Sequence, residues 1–427
     1  MDSDAVLSAG EDRPGKRSRT FPCSLSEWVM MDCLLSDYGD ADSSSVILAY
    51  ASTSTRDLIG IGFRPVRPPS TSCLLFDWVP HSANTSSRPR NSGAMAVAAH
   101  RSTILLRSAV CHRNWHGRVP FGANTVGILC FGGDKEDRRG FMAAHLTVTP
   151  KKASTKRRLN NDDCPVTAAL CYICSLDGSL DGGSWHTIKD LPIRGAEGRG
   201  DDLLWWETDV VVSIGEYICW VDYLRGMLLC DVRSAKPKLL YVALPVDPYQ
   251  GREEPELGGR GAVAACRTVC VAKEEEEAFV IRFVDVTDNR CWFYGRPRRG
   301  YTSSPYSTIS SWRLNSDLRT WKLDSMIEDD EFLTLTKRHN LPSSTQLIFP
   351  LVDLNDPQTI YCAVRQEQCI FLLTVNMSTR TLVKTPYTFG SVETTGGEGV
   401  RHKGKQPRNL DYTMPFVTCE LIRNEVM

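Results

Sequence analysis

Short apolar runs with strand-like alternation, bounded by Gly, Pro, Asp, Asn and Ser, recur along the whole chain, and no helical period is sustained over about twelve residues. This pattern constrains the fold more than any other feature, because period-two runs form strands and, without helices to cover them, the resulting sheets must bury their faces against other sheets. Strands are expected at Ser45 to Ala51, Thr71 to Trp78, Ala94 to His100, Thr103 to Ser108, Ala168 to Ser175, Glu216 to Asp222, Met227 to Val232, Phe279 to Val286 and Cys369 to Val375. The expected fold class is all-β.

Within that pattern a degenerate hairpin repeats. An apolar strand, a polar turn and a second strand follow one another around Cys174, Cys230, Trp312 and Leu373. Those anchors are spaced by roughly the length of a four-stranded blade with its loops. Sheets apolar on both faces need cover on both sides, which radial stacking supplies while leaving only short edges. A β-propeller of about six blades with mobile loops is therefore expected, the alternative being a β-sandwich assembly. Residues 1–20 read as a disordered tail, 21–390 as one propeller-like domain and 391–427 as a partly flexible C-terminal segment.

Composition decides which partners to exclude. The chain has 427 residues, 42% hydrophobic and 24% charged, as in a globular protein. Its 50 Lys+Arg against 51 Asp+Glu give a formal net charge of -1, so no global field draws it to nucleic acid or anionic membrane. Met1 to Arg13 carry acids without an apolar run, and runs such as Val210 to Ile214 are far too short to span a bilayer. Neither a signal peptide nor a membrane segment is expected, and the expected location is cytoplasmic or nuclear. The 16 cysteines lie scattered in apolar runs, which reads as reduced, buried thiols.

Three long, ordered motifs carry a family resemblance. They are Trp205-Trp-Glu-Thr-Asp-Val-Val-Val, Cys219-Trp-Val-Asp-Tyr-Leu-Arg-Gly-Met-Leu-Leu-Cys-Asp-Val and Tyr241-Val-Ala-Leu-Pro-Val-Asp-Pro-Tyr. Gly62-Phe-Arg-Pro-Val-Arg-Pro-Pro, Ala98-Ala-His-Arg-Ser-Thr-Ile-Leu-Leu and Ile309-Ser-Ser-Trp-Arg-Leu agree with them. Together they resemble the plant family called domain of unknown function 1618, from about Trp28 to Tyr387. The resemblance implies a propeller-like fold similar to the domains that accompany F-box proteins, here without an F-box, and it implies no activity. The segment near 107–165 departs from the family pattern, as a divergent stretch or an insertion.

Candidate residues are few. Trp206, Asp209, Trp220 and Asp222 make a candidate ligand patch at one end of the propeller channel. The plainer role for Asp222 is to accept hydrogen bonds in the hairpin turn closed by Gly226, which can supply a positive φ. Lys151, Lys152, Lys156, Arg157 and Arg158 form a basic cluster suited to nuclear import or phosphate contact, or to a solvated loop. Cys171 and Cys174 have C-x-x-C spacing but no second pair follows, and on a strand they face opposite ways. Cys111, His112 and His116 crowd potential metal ligands beside Arg113 and Arg118, whose charge opposes a cation. The turn from Asp177 to Gly182 resembles a calcium loop but has Ile188 where a bidentate Glu is required. No catalytic residue, metal or cofactor is assigned.

Two main readings follow. One is a non-enzymatic β-scaffold whose loops bind an as yet unknown protein partner. The alternative is a propeller-type hydrolase or small-molecule binder with a site at the channel mouth, and a nuclear regulatory protein is a further alternative. Convergence of Asp209, Asp222, Asp231, Asp285 and His186 in one pocket would favour the enzyme.

Overall fold

The computed structural model describes residues 28–33, 35–37, 47–52, 58–79, 95–101, 103–107, 125–132, 140–151, 165–176, 184–246, 263–274, 279–288, 307–342, 345, 347–366, 369–387 and 416–420. Five sheets of four or more strands are arranged as the blades of a β-propeller. The first contains β1 (Trp28–Asp32), β2 (Ser36–Asp37), β3 (Ile47–Ser52), β4 (Leu58–Arg64) and β5 (Thr71–Val79), with β1 and β2 parallel to β5. A hairpin follows, β6 (Met95–His100) and β7 (Thr103–Arg107). The second sheet is β8 (Val126–Phe131), β9 (Gly140–Pro150), β10 (Val166–Ser175) and β11 (His186–Ile188).

The third sheet begins with β12 (Ile193–Arg194), which runs parallel to its last strand. The helix α1 (Gly200–Leu204) then leads into β13 (Val210–Ile214), β14 (Tyr217–Asp222), β15 (Gly226–Asp231) and β16 (Leu239–Ala243). The fourth comprises β17 (Arg267–Lys273), β18 (Phe279–Asp288), β19 (Ser307–Leu314) and β20 (Trp321–Ile327). After α2 (Asp329–Arg338) the fifth follows with β21 (Leu347–Val352), β22 (Thr359–Gln366), β23 (Cys369–Asn376) and β24 (Thr381–Pro386). Finally β25 (Phe416–Glu420), within the 391–427 segment, pairs antiparallel with β1.

The strand alternation explains why the runs are apolar throughout and not at every second residue. On β14, Ile218 and Trp220 enter one apolar cluster while Cys219 and Val221 enter the next. On β18, Ile281 and Phe283 face the third sheet while Val284 and Val286 face the fifth. Each strand of this kind feeds two seams.

The seams run around the ring. Met31, Ile61 and Leu74 of the first sheet meet Ala96 of the hairpin, and Ala98 and Leu105 of the hairpin meet Ile128 and Phe141 of the second sheet. The second and third sheets share the seam of Leu170 and Trp220, and the third and fourth that of Val221 and Phe283. Val284 and Ile360 join the fourth to the fifth, and Trp28, Met30 and Phe349 join the fifth back to the first. About six blades were expected. Among the described residues there are five, and between the first and second the hairpin supplies two strands and two seams of its own.

The helix α2 carries Asp329, Asp330 and Glu331 in its first turn and Lys337 and Arg338 in its last, complementing the helix dipole at both ends. Phe332 and Leu335 anchor it in the seam between the fourth and fifth sheets.

Candidate functional site at the third sheet

The turn between β14 and β15 concentrates the buried polar groups of the third sheet. Asp222 and Gly226 pair across its base, leaving Tyr223, Leu224 and Arg225 at the tip. Gly226 is required for space and not for a positive φ: a Cβ there would lie 2.6 Å from the Val242 carbonyl oxygen and 2.9 Å from the Tyr241 ring. Only hydrogen fits against that neighbouring strand.

Asp222 is fully buried, and its two oxygens serve different segments. Oδ1 accepts from the Leu224 N–H at 2.9 Å, within the turn. Oδ2 accepts from the Glu207 N–H at 2.9 Å and lies 3.5 Å from the Arg225 Nε. That same Nε donates to the Trp205 carbonyl oxygen at 2.8 Å. The ion pair of Asp222 and buried Arg225 thus clamps the backbone of residues 205–207. Burial of two charges is costly, and these added hydrogen bonds help to offset it.

A second chain of contacts ties the turn to the fourth sheet. Asp209 Oδ2 accepts from the Tyr223 N–H at 2.7 Å. Arg267 donates through Nη1 to the Tyr223 carbonyl at 2.6 Å and through Nε to Asp285 Oδ1 at 2.6 Å. Burial, with a further contribution from the Asp209 carboxylate, holds the Tyr223 hydroxyl well above the ordinary phenol range. Tyr241 is raised likewise by burial and then by Asp202. Its hydroxyl lies 2.9 Å from Asp202 Oδ2 and 2.8 Å from the Arg225 carbonyl, so its one proton serves two acceptors. Both phenols stay protonated across the physiological range.

The residues singled out from sequence fall in separate environments. Asp209 and Asp222 meet at this turn, and Asp285 joins them through Arg267. Trp220 is fully buried in the seam with the second sheet and donates from Nε1 to the Thr125 carbonyl at 3.0 Å. Trp206 packs against the same seam, its Nε1 donating to Thr208 Oγ1 at 3.1 Å. Next to it Trp205 is exposed, 52% accessible, which distinguishes it from its neighbour Trp206. Nothing in the Trp-Trp dipeptide signals which ring turns outward.

Asp231 lies at the other end of β15, where its Oδ1 accepts from the Arg233 and Ser234 N–H groups at 3.1 Å each. His186, exposed on β11, contacts Ser184 Oγ at 3.3 Å and stacks near the Tyr172 ring at 5.7 Å. These two therefore do not join the carboxylates at the turn. Cys171 and Cys174 both lie on β10, opposite His145 and Met142, and are free thiols. Lys151 is exposed beyond β9, whereas Lys152, Lys156, Arg157 and Arg158 lie outside the described residues, as do Cys111, His112, His116 and the Asp177 to Gly182 turn.

A second charged cluster lies on the fourth sheet. Buried Arg282 donates to Asp324 Oδ2 at 2.7 Å and to Glu274 Oε1 at 3.0 Å, and Arg313 donates to Glu274 Oε2 at 2.8 Å. Gln358, in the turn before β22, adds a hydrogen bond to Asp324 at 2.9 Å. Asp324 has no cross-strand partner, because Ser311 pairs with Ser325 and Trp312 with Leu323. It is the extra residue of a β-bulge. Burial raises the Asp324 carboxyl, but the Arg282 and Gln358 contacts prevail and hold it below the usual carboxylate range.

The turn falls within a stretch that matches a known family. Residues 220–361 match the family model described as "Protein of unknown function (DUF1618)". No curated protein matches the chain. Among solved structures, the structure of apo AztD from Citrobacter koseri aligns over 92% of this chain and 97% of that one, with 8% identity and a TM-score of 0.25.

Proposed function

We propose that this chain, whose family match begins at the β14–β15 turn, is a non-enzymatic β-scaffold for protein–protein interaction whose contact element is the loop of residues 205–207. The observation that carries the reading is the double anchoring of that loop. Arg225 holds the Trp205 carbonyl and Asp222 holds the Glu207 N–H, while Trp205 is 52% accessible. A solitary exposed apolar residue is ordinary on a protein surface. An exposed indole on a backbone fixed by a buried ion pair is better suited to binding, because little further ordering is lost on association. Tryptophan is also among the side chains that contribute most at interface centres.

The same geometry explains why the carboxylates of the turn favour a scaffold over a catalyst. Asp209 and Asp222 accept backbone N–H groups at 2.7–2.9 Å, and Asp285 is bound to Arg267. Their lone pairs support the fold.

The test is affinity purification of the tagged chain from its native source, comparing wild type with Trp205→Ala by quantitative mass spectrometry. A partner set retained by wild type and lost by the variant, at unchanged melting temperature, is the expected result. Equal recovery of the same partners by both would refute the role given to the loop.

A further inference from the structure

We propose that the β6–β7 hairpin is a pH-operated latch: protonation of His100 on Nδ1 releases the hairpin from β8 and loosens the seam it forms with the second sheet. The hairpin is the two-stranded member of the ring, and three hydrogen bonds link its tip to the neighbouring strand. His100 Nδ1 accepts from the Cys130 N–H at 2.9 Å. The Cys130 thiol donates back to the His100 carbonyl at 3.6 Å. Arg101, held at a φ of 52°, donates from Nη1 to the Gly132 carbonyl at 3.0 Å.

The first of these bonds has only one compatible protonation state. An acceptor at Nδ1 requires a neutral ring with its proton on Nε2, since both nitrogens of an imidazolium are donors. A proton on Nδ1 would confront the Cys130 N–H, leaving both groups unsatisfied. The ring must then leave β8.

The surroundings reinforce the neutral state. Burial first, and then the adjacent Arg101 charge, bring His100 down from 6.5 to about 4. On β8 the titratable group is the Cys130 thiol, and β13 carries no ionisable side chain. On β9, His145 pairs with Val126 at the opposite end of β8 and is itself lowered by burial. Asp32 of β1 is bound by the Tyr387 hydroxyl, and β25 ends on Glu420. The folded form binds its proton more weakly than the released one, so the latch is fully closed above about pH 6.5 and weakens as pH falls toward 4.

Hydrogen exchange of the full-length chain at pH 7 and pH 5, corrected for the intrinsic exchange rate, tests this directly. Protection of the Cys130 amide, read in a peptide covering 126–131, is expected to fall roughly twentyfold between the two conditions. A peptide covering 217–222, in the seams of the third sheet, is expected to keep its protection. His100→Asn offers a carboxamide oxygen that accepts without titrating and is expected to flatten the profile, whereas Glu420→Gln is expected to leave it intact. If His100→Asn does not fold, the wild-type and Glu420→Gln profiles decide. Unchanged protection at 126–131, an equal loss in both peptides, or a transition abolished by Glu420→Gln would each overturn the latch.

Discussion

Asp222 and Asp231 sit at opposite ends of one hairpin, and both look alike in the sequence as acids beside a turn. Asp231 accepts two N–H groups close to solvent, whereas Asp222 neutralises a buried guanidinium and fixes two segments. Asp222→Ala is expected to lower stability by about 3–5 kcal/mol, because it strands the Arg225 charge. Asp231→Ala is expected to cost about 1 kcal/mol, the net worth of an ordinary hydrogen bond. Chemical denaturation midpoints measure the difference, and equal losses would contradict the assigned burial. The local role of Asp222 was legible, since an acid two residues before a hairpin tip accepts turn N–H groups. Its bond to Glu207 was not legible, because it spans fifteen residues of chain and depends on how the loop before β13 folds back.

At the scale of elements, most strands could be read because their apolar runs are continuous and their turns are marked. Met95–His100, Thr103–Arg107 and Tyr217–Asp222 lie within a residue of where the alternation places them. The helix α2 is not legible in the sequence because ten residues give less than three turns, too few for a period to stand out. Backbone irregularities were hidden too. Phe349 adopts a φ of 55° where β21 slips register against β22, and that bulge carries its ring into the seam with Trp28. The clearest prediction at this scale concerns β8. A Cβ on Gly127 would lie 2.5 Å from Val211 Cγ1 and 2.7 Å from Ile218 Cγ2, both on the third sheet. Gly127→Ala is expected to destabilise by about 1–3 kcal/mol through overpacking, and Val211→Ala in the same chain to recover part of that loss. Thermal unfolding of the single and double variants measures the coupling, and strict additivity would contradict the contact.

For the whole molecule, the all-β class was legible from the period of the apolar runs, while the size of each sheet was not. Strand count depends on pairings between distant segments, and the hairpin β6–β7 reads like any other until its neighbours are known. The closure is the least legible part of all. The link of β25 to β1, and the hydrogen bond from Tyr387 to Asp32 at 2.6 Å, join residues more than 350 positions apart. A chain ending before Phe416 is expected to leave β1 without that partner and to unfold at lower denaturant concentration with a broadened transition. An unaltered transition would show that β25 adds nothing to the ring. The closure also sets a schedule for synthesis. Residues Trp28–Asp32 leave the ribosome long before Phe416–Glu420 exist, and at about 5–20 residues per second the wait is on the order of 20 s or more. Through that interval a buried apolar strand can pair with β5 but lacks its partner on the other edge, so the nascent chain is a natural client for chaperones that shield unpaired edges until translation is complete.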